Sequence, residues 1–212
     1  MVYPVVKRLL DVFISIFALL ILWPILILIF ILIKAESRGP LFFKQRRIGR
    51  GKREFYIYKF RSMYINTPKD VPTHLLKNSD ASITRIGRIL RKSSLDELPQ
   101  IINILKGEMS IVGPRPALWN QYDLITERDE YGANDLLPGL TGWAQVNGRD
   151  ELSVAIKAAY DGQYVRDISF WLDVKIFFLT FYRILTSKGV VEGMKNHQVG
   201  DEPINTDVKR AK

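Results

Sequence analysis

The sequence predicts an α+β protein, mainly helical, in which an N-terminal membrane-associated helix joins a small globular domain with short strands. Residues 12–33 form a 22-residue stretch without a charged side chain. As a helix this stretch reaches about 33 Å, enough to cross a bilayer core. Behind it, apolar residues recur at helical spacing in several segments and alternate in one short segment. The 212 residues, 47% hydrophobic and 25% charged, suffice for one domain core and one appendage.

Composition excludes several classes of protein. The absence of cysteine excludes a disulfide scaffold, a thiolate zinc site and a cysteine nucleophile. The two histidines, His74 and His197, lack the supporting motif of a histidine metal site or a Ser-His-Asp triad. Thirty-one basic against 22 acidic residues give a net charge of +9, which favours an anionic partner. Composition leaves nucleic acid, a lipid surface and a phosphorylated substrate open.

The membrane segment contains Pro24 near its middle, and a proline there removes a backbone donor and kinks a helix. Lys7 and Arg8 precede the segment and a dense basic cluster follows it. The positive-inside rule places that cluster in the cytoplasm. A helix that bends at Pro24 and returns keeps both basic ends on the cytoplasmic face, whereas a spanning helix leaves Lys7 and Arg8 outside. Charge and proline leave both forms open.

The segment 34–61 holds ten Lys or Arg residues against two Glu, which is +8 of the net charge. Behind a membrane segment, such a cluster is typical of attraction to anionic lipid headgroups. Interleaved aromatic residues would also suit nucleic acid. However, residues 55–60 alternate as a half-buried strand does. We therefore favour a strand on the membrane-proximal side over an RNA-binding surface.

Two helices are predicted after this strand. Residues 62–82 are polar, contain two prolines and predict a loop. Ser82 is a candidate cap for a helix that runs to residue 92. Apolar spacing predicts a second helix over 95–106, and Gly107 is placed to end it.

The remaining chain is predicted to contain one more helix. Residues 110–112 form a short apolar run, and residues 138–149 contain three glycines and are loop-like. A helix is predicted over 168–185. Its three charges make it too polar to span a membrane, while its aromatic residues suit an interfacial amphipathic helix. A plain core helix is the alternative.

The segment 93–100 (SSLDELPQ) admits two interpretations. Ser94 and Glu97 have the spacing of a capping box, and acidic residues are favoured in the first turn of a helix. Alternatively, the adjacent carboxylates of Asp96 and Glu97 carry chemistry. The second interpretation draws on their surroundings, because the preceding helix has only basic polar residues and Arg115 stands between two prolines. Arginine forks match phosphate oxygens. Carboxylates beside them suggest Mg²⁺, a polyphosphate and a carboxylate nucleophile.

On six ordered motifs the sequence resembles a known family. They follow the proline-containing membrane segment as RGPLFFKQRRIG (38–49), YKFRSM (58–63), SLDELPQ (94–100), KGEMSIVGPRP (106–116), PGLTGWAQVNGR (138–149) and SFWLDVKI (169–176). Over about residues 5–189 the chain is similar to the bacterial sugar transferases, the small monotopic polyprenyl-phosphate phosphoglycosyl transferases. Six motifs in the family's order are difficult to obtain by chance.

The resemblance implies a reaction. A sugar-1-phosphate passes from a UDP-sugar to a polyprenyl (undecaprenyl) phosphate, through a covalent aspartyl-phosphosugar, giving a polyprenyl-diphosphate sugar and UMP. The reaction would be the first membrane step of a surface glycan pathway, at the cytoplasmic face of the bacterial inner membrane. Mg²⁺ is the implied cofactor and membrane phospholipids, not nucleic acid, are implied partners. The sugar, the pathway and the oligomeric state are left open.

The resemblance also implies roles for individual residues. Asp96 matches the family's nucleophile, and Glu97 matches the glutamate that helps to hold Mg²⁺. Four basic residues match the family's substrate phosphate and nucleotide site: Lys59, Arg91, Arg115 and Arg149. Further candidates are the acidic residue Asp173 and the basic residues Arg61 and Arg88.

The family's membrane segment is a re-entrant helix broken at a proline, which matches Pro24 here and favours the re-entrant form. Trp23 precedes this proline where the family often has a serine, which leaves open whether the pair breaks the helix as a Ser-Pro pair would. The implied organisation is a membrane helix over 1–36, a catalytic domain over 37–188 and a flexible tail over 189–212.

Two alternatives remain at this stage. In one, the lipid phosphate attacks the UDP-sugar directly in a ternary complex, and Asp96 is a base or a metal ligand. In the other, the protein is a membrane adaptor without enzymatic activity, which uses residues 34–61 to hold anionic lipid or RNA.

Overall fold

The computed structural model describes residues 3–67, 79–148 and 151–186. Within these ranges the chain forms helices and short strands, and three 3₁₀ segments connect them. The strands are β1 (Phe42–Ile48), β2 (Glu54–Phe60), β3 (Ser110–Val112) and β4 (Gly139–Thr141). The helices are α1 (Tyr3–Glu36), α2 (Ser79–Ser82), α3 (Arg85–Lys92), α4 (Ile101–Lys106), α5 (Tyr122–Asp129), α6 (Trp143–Val146), α7 (Val154–Asp167) and α8 (Phe170–Thr186). The mainly helical α+β fold class is confirmed.

Helix α1 is long and apolar enough to cross a membrane, judged by length and composition. Most of its large apolar side chains are exposed, and its buried residues recur along a single face. Pro24 lies inside the helix, which continues on both sides of it. A change of direction at Pro24 is therefore a bend within helical backbone and not a loop.

Both halves of α1 contact the globular domain. In the first half, the Asp11 carboxylate accepts a hydrogen bond from the backbone N–H of Ile111 in β3, at 3.1 Å. In the second half, Ile29 and Ile33 are buried in one cluster with Phe60 of β2. The helix is thus fastened to the domain near both of its ends, and its middle carries the exposed apolar surface.

Strands β1 and β2 form an antiparallel hairpin in which Phe42 pairs with Phe60. The predicted strand 55–60 is confirmed, since β2 buries Phe55 and Ile57 while Tyr56 between them is exposed. The alternation does not extend to Phe60, which is buried as well. Its partner β1 was not predicted, because the centre of β1 is polar and basic and lacks apolar alternation. The backbone N–H and C=O groups of β1 pair with those of β2, and this pairing forms the strand without an apolar pattern.

Strands β3 and β4 pair in parallel, with Ser110 opposite Gly139. The expectation that 138–149 is only a loop was wrong, because this stretch contains β4 and α6. A Cβ at Gly139 would lie 2.2 Å from the backbone nitrogen of Gly113. The glycines that suggested a loop are needed here for close approach of two backbone segments.

The helices around the carboxylate segment differ from prediction in their boundaries. Helix α3 is capped by Thr84, whose hydroxyl accepts the N–H of Gly87 at 2.9 Å, and not by Ser82, which ends α2. The predicted helix 95–106 is a 3₁₀ helix, Leu95–Gln100, followed by α4, because Pro99 cannot donate a helical hydrogen bond. Gly107 ends α4 with φ 85°, as predicted.

Helix α8 confirms the helix predicted over 168–185. It is amphipathic, with Ile176 fully buried and Trp171 77% exposed. Helices α5 and α7 were not predicted, and they are joined by a buried ion pair between Arg128 and Asp161. The predicted tail, 189–212, lies outside the described residues, as do residues 68–78 of the predicted loop over 62–82. The prediction of a loop was wrong at its end, where Ser79–Ser82 form α2.

Candidate active site

The carboxylate pair lies on the 3₁₀ helix Leu95–Gln100, between α3 and α4. Ser94 enters it in the left-handed conformation, with φ 57°, and its side chain makes no capping hydrogen bond. The capping-box interpretation was therefore wrong, because a cap requires an extended backbone at this position. Asp96 and Glu97 are both buried, although carboxylates at the start of a surface helix are normally exposed.

Glu97 is held by two basic side chains from distant parts of the chain. Its Oε1 atom accepts a hydrogen bond from Nζ of Lys59 at 2.7 Å and another from Nη2 of Arg115 at 3.0 Å. Lys59 comes from β2, which packs across the 3₁₀ helix, and Arg115 comes from the loop after β3. The structure thus brings together three of the residues singled out in the sequence.

Burial lowers the pKa of Lys59 from its ordinary value, and desolvation of the ammonium is the largest cause. The negative charges of Glu97 and Asp96 oppose this shift, whereas Arg115 and Arg47 add to it. Because Lys59 responds to both carboxylates, Asp96 faces the same group of charges as Glu97. Two carboxylates and three cations therefore share one partly enclosed region.

Arg47 is a residue of this region that the sequence analysis did not single out. Its Nη1 donates to the carbonyl oxygen of Pro116 at 3.0 Å, and the N–H of Ile48 donates to the carbonyl oxygen of Ala117 at 2.9 Å. The end of β1 therefore fixes the loop that carries Arg115. The available signal was the basic pair within RGPLFFKQRRIG, which was interpreted only as part of the basic cluster.

The other predicted phosphate-binding residues occupy different positions. Arg91 is half-buried near the end of α3, and Arg88 is exposed on the same helix. Arg61 is buried, and its guanidinium donates to the carbonyl oxygens of Ser37 and Arg38 at 2.7 and 2.9 Å. These bonds tie β2 to the chain that leaves α1. Arg149 lies outside the described residues.

Asp173 lies at a junction between three helices. Its carboxylate accepts hydrogen bonds from Tyr164 of α7 at 2.7 Å and from Tyr3 and Lys7 of α1. Burial is the main reason that the pKa of Tyr164 is raised, and the Asp173 charge adds to it. The described contacts give Asp173 a structural role in holding the start of α1 against α7 and α8.

The carboxylates provide the ligand chemistry for a metal such as Mg²⁺. In the part of the chain that the structure describes, no group of three or more His, Cys, Asp and Glu residues could hold a metal ion. Mg²⁺ is commonly held by one or two carboxylates together with substrate phosphates. The adjacent oxygen donors of Asp96 and Glu97 fit that requirement, and they would hold the ion only with the substrate.

The fold and the site define a class of protein. In the residues that the structure describes, it combines an apolar helix of membrane length with a buried carboxylate pair that has basic side chains around it. The family model described as bacterial sugar transferase matches residues 2–187. The chain belongs to this family, which confirms the resemblance seen in its motifs.

Relatives with assigned names support the same family. The chain is 44% identical over 193 residues to a UDP-glucose:undecaprenyl-phosphate glucose-1-phosphate transferase of Xanthomonas campestris pv. campestris, covering 88% of this chain and 40% of the relative. It is 40% identical over 194 residues to a UDP-N-acetylgalactosamine-undecaprenyl-phosphate N-acetylgalactosaminephosphotransferase of Aeromonas hydrophila, covering 89% and 45%. The chain thus spans less than half the length of these two relatives.

A relative of similar length is also matched. The chain is 40% identical over 186 residues to the uncharacterized sugar transferase EpsL of Bacillus subtilis (strain 168), covering 88% of this chain and 90% of the relative. The chain therefore spans most of the length of this relative.

Proposed function

We propose that the protein transfers a sugar-1-phosphate from a UDP-sugar to a polyprenyl phosphate, giving a polyprenyl-diphosphate sugar and UMP. The observation that carries this proposal is the buried Asp96–Glu97 pair, with Lys59 and Arg115 on Glu97. The relatives are named for UDP-sugars and undecaprenyl phosphate, which supports these substrate classes. The reaction would be the first membrane step of a surface glycan pathway.

The first step is a displacement at the phosphorus that carries the sugar. An oxygen of the Asp96 carboxylate attacks this phosphorus, the bond to the bridging oxygen breaks, and UMP leaves with the electron pair. An acyl phosphate then joins Asp96 to the sugar phosphate. The basic side chains around the site hold the diphosphate and oppose the charge that develops on it.

In the second step, an oxygen of the polyprenyl phosphate attacks the same phosphorus, and the Asp96 carboxylate leaves. Glu97 keeps Lys59 and Arg115 in position for both displacements, since its Oε1 accepts from both. Mg²⁺ held by Glu97 and the substrate phosphates would neutralise charge on the transferring phosphoryl group.

The membrane helix is proposed to be re-entrant, with both flanks at the cytoplasmic face of the bacterial inner membrane. Both halves of α1 contact the same globular domain, Asp11 through the backbone N–H of Ile111 and Ile29 through Phe60. Pro24 lies between these two contacts. A proline at this position supports a bend in the helix.

The membrane is also proposed to contact other surfaces. The exposed apolar middle of α1 would lie in the hydrocarbon, and the exposed aromatic residues of α8, among them Trp171 and Phe178, would lie among headgroups. The basic residues of 34–61 would interact with anionic phospholipids. This arrangement holds the carboxylates at the height of a lipid phosphate.

The reaction is tested by measuring UMP release from a panel of UDP-sugars, with Mg²⁺ and undecaprenyl phosphate, for the detergent-purified protein. Asp96→Asn is compared with Glu127→Gln, which neutralises an exposed carboxylate on α5. We expect UMP release over many turnovers with one sugar, dependent on lipid and metal, which Asp96→Asn abolishes and Glu127→Gln retains. Full turnover by a folded Asp96→Asn protein would contradict the proposal.

The covalent route is tested separately. Protein incubated with a UDP-sugar labelled in the phosphate next to the sugar, without acceptor, should retain the label after denaturation. Hydroxylamine should release it, as expected for an acyl phosphate. An active enzyme that never carries label would replace the two-step route with direct attack by the lipid phosphate.

A further inference from the structure

Helix α3 has an exposed face that the catalytic proposal does not use. The side chains of Arg85, Arg88, Ile89 and Lys92 are all exposed, and Ile89 is 62% exposed. Their spacing is i, i+3, i+4 and i+7, so they lie on one side of the helix. We call these four residues the α3 face. It consists of three cations and one large apolar residue.

The two edges of the α3 face have different neighbours. At about 100° per residue, Ile86 borders Ile89, and it packs against the cluster that contains Ile29 and Ile33 of the membrane helix. On the other edge, Arg91 borders Arg88 and is half-buried. The α3 face therefore lies between the apolar helix α1 on one edge and Arg91 on the other. Arg91 stands five positions before Asp96 in the sequence.

The position of α3 relative to α1 is fixed by a direct contact. The Glu36 carboxylate, at the end of α1, accepts the backbone N–H of Arg85 at 2.6 Å and that of Ile86 at 2.9 Å. The helix sequence, RIGRILRK, contains no acidic residue. If α1 is in the membrane, α3 begins where α1 leaves it, and its exposed cations lie at the height of lipid phosphates.

We propose that the α3 face is the capture site for the acceptor lipid, separate from the nucleotide-sugar site. The inference rests on the proposed function. The phosphate monoester of the acceptor carries nearly two negative charges, which match Arg88 and Lys92 in charge. The first isoprene units lie against Ile89 and α1. The phosphate then passes along the Arg91 edge toward Asp96.

The test uses a charge-removing pair and a matched control in the full chain. Arg88→Gln with Lys92→Gln removes two cations from the α3 face. Arg50→Gln with Arg53→Gln removes two exposed cations from the turn between β1 and β2. KM values for the UDP-sugar and for undecaprenyl phosphate are measured for both, in neutral detergent and in vesicles that contain phosphatidylglycerol.

We expect the α3 pair to raise the KM for undecaprenyl phosphate about tenfold, in detergent as well as in vesicles. The KM for the UDP-sugar should be unchanged, and the control pair should resemble the wild type in detergent. An unchanged acceptor KM would overturn the proposal, as would an equal rise in the UDP-sugar KM. A defect confined to the anionic vesicles would assign the face to phospholipid headgroups instead.

Ile89→Ser tests the apolar part of the site with little risk to folding, since the side chain is exposed. Because the first isoprene units lie against Ile89, this variant should raise the KM for undecaprenyl phosphate and for a two-isoprene phosphate, and leave the KM for the UDP-sugar unchanged. An unchanged KM for both acceptors would contradict the role given to Ile89. If the wild type transfers no phosphosugar at all, the proposed function fails, and this outcome is distinct from failure of the α3 proposal.

Discussion

The ammonium group of Lys59 lies 2.7 Å from Oε1 of Glu97, although 38 residues separate them in the chain. Both side chains are largely enclosed, with 16% and 10% exposed. The lysine is therefore desolvated while it balances a carboxylate, and these two effects act on its pKa in opposite directions. Desolvation is the larger, so the pKa of Lys59 is lowered.

This shift predicts the pH dependence of activity. In the proposed reaction a protonated Lys59 holds substrate phosphate. As the pH rises, kcat/KM for the UDP-sugar should therefore decline before the ordinary lysine pKa of about 10.4 is reached, because the pKa of Lys59 is lowered. Lys59→Arg should move the decline to higher pH, because arginine remains protonated. The measurement is a pH profile of kcat/KM for both proteins. If kcat/KM of both proteins declined at the same alkaline pH, a group other than Lys59 would cause the decline.

The same shift has a consequence for stability. The folded-state pKa of Lys59 lies below its unfolded value, so the folded protein binds fewer protons between the two values. The contribution of Lys59 to the free energy of unfolding should therefore increase with pH across that window. Lys59→Met should remove this increase, which denaturant titrations at several pH values can measure against the wild type.

Removal of Arg115 is expected to weaken substrate binding. Arg115→Ala should raise the KM for the UDP-sugar by about tenfold or more, because a charge-assisted hydrogen bond to phosphate is lost. Arg166→Ala, an exposed arginine at the end of α7, serves as the control and should leave KM unchanged. Unaltered kinetics for Arg115→Ala would remove this residue from the phosphate site.

The ion pair between α5 and α7 is expected to be important for stability. Arg128 donates from Nε and Nη2 to Oδ2 of Asp161, at 2.8 and 2.6 Å, and both residues are buried. Asp161→Asn leaves the arginine charge without its counterion and should lower the free energy of unfolding by about 3–5 kcal/mol. Glu127→Gln, exposed on α5, should change it by less than about 0.5 kcal/mol. If denaturant titrations gave the Asp161→Asn and Glu127→Gln proteins the same free energy of unfolding, this role of the ion pair would be contradicted.

The close approach of β3 and β4 predicts a large effect at Gly139. An alanine Cβ there would meet backbone atoms of Gly113 and Thr141 at 2.2 and 2.3 Å. Gly139→Ala should therefore destabilise the protein by at least about 3 kcal/mol. Gly132→Ala, where a Cβ meets nothing within 4 Å but φ is +66°, should lose only about 1–2 kcal/mol from backbone strain. Thermal unfolding of both variants measures these losses of stability. A larger loss for Gly132→Ala than for Gly139→Ala would contradict the prediction.

The re-entrant form of α1 makes a topological prediction. The chain has no cysteine, so a single cysteine at position 2 reports only its own side of the membrane. A second protein with Arg53→Cys reports the exposed turn of the β1–β2 hairpin. Both should react with an impermeant reagent only after the cells are opened. Labelling of position 2 in intact cells would establish a spanning helix.

Local patterns predicted several features correctly. The apolar run of α1 predicted a long apolar helix, and the alternation of 55–60 predicted β2, because each pattern is a direct consequence of local backbone geometry. Helices α5 and α7 were missed. Helix α7 buries Ala158, Asp161 and Gly162 together, and small or charged residues at buried positions weaken the apolar periodicity.

The candidate site could be predicted in part. The SLDELPQ motif located Asp96 and Glu97, but the same spacing suggested a capping box that the structure does not contain. Arg47 was not found, because its role depends on a contact with Pro116, 69 residues later in the chain. Such contacts leave no periodic signal in the sequence.

By itself, the sequence determined the long apolar helix, the family and the carboxylate pair, since these depend on composition and on short motifs. Only the tertiary structure decided that Lys59 and Arg115 share one oxygen of Glu97, and that Asp11 and Ile33 dock onto the same domain. The physical reason is that ion pairing and burial depend on distances between segments that are remote along the chain. Those distances are set by packing of the whole domain.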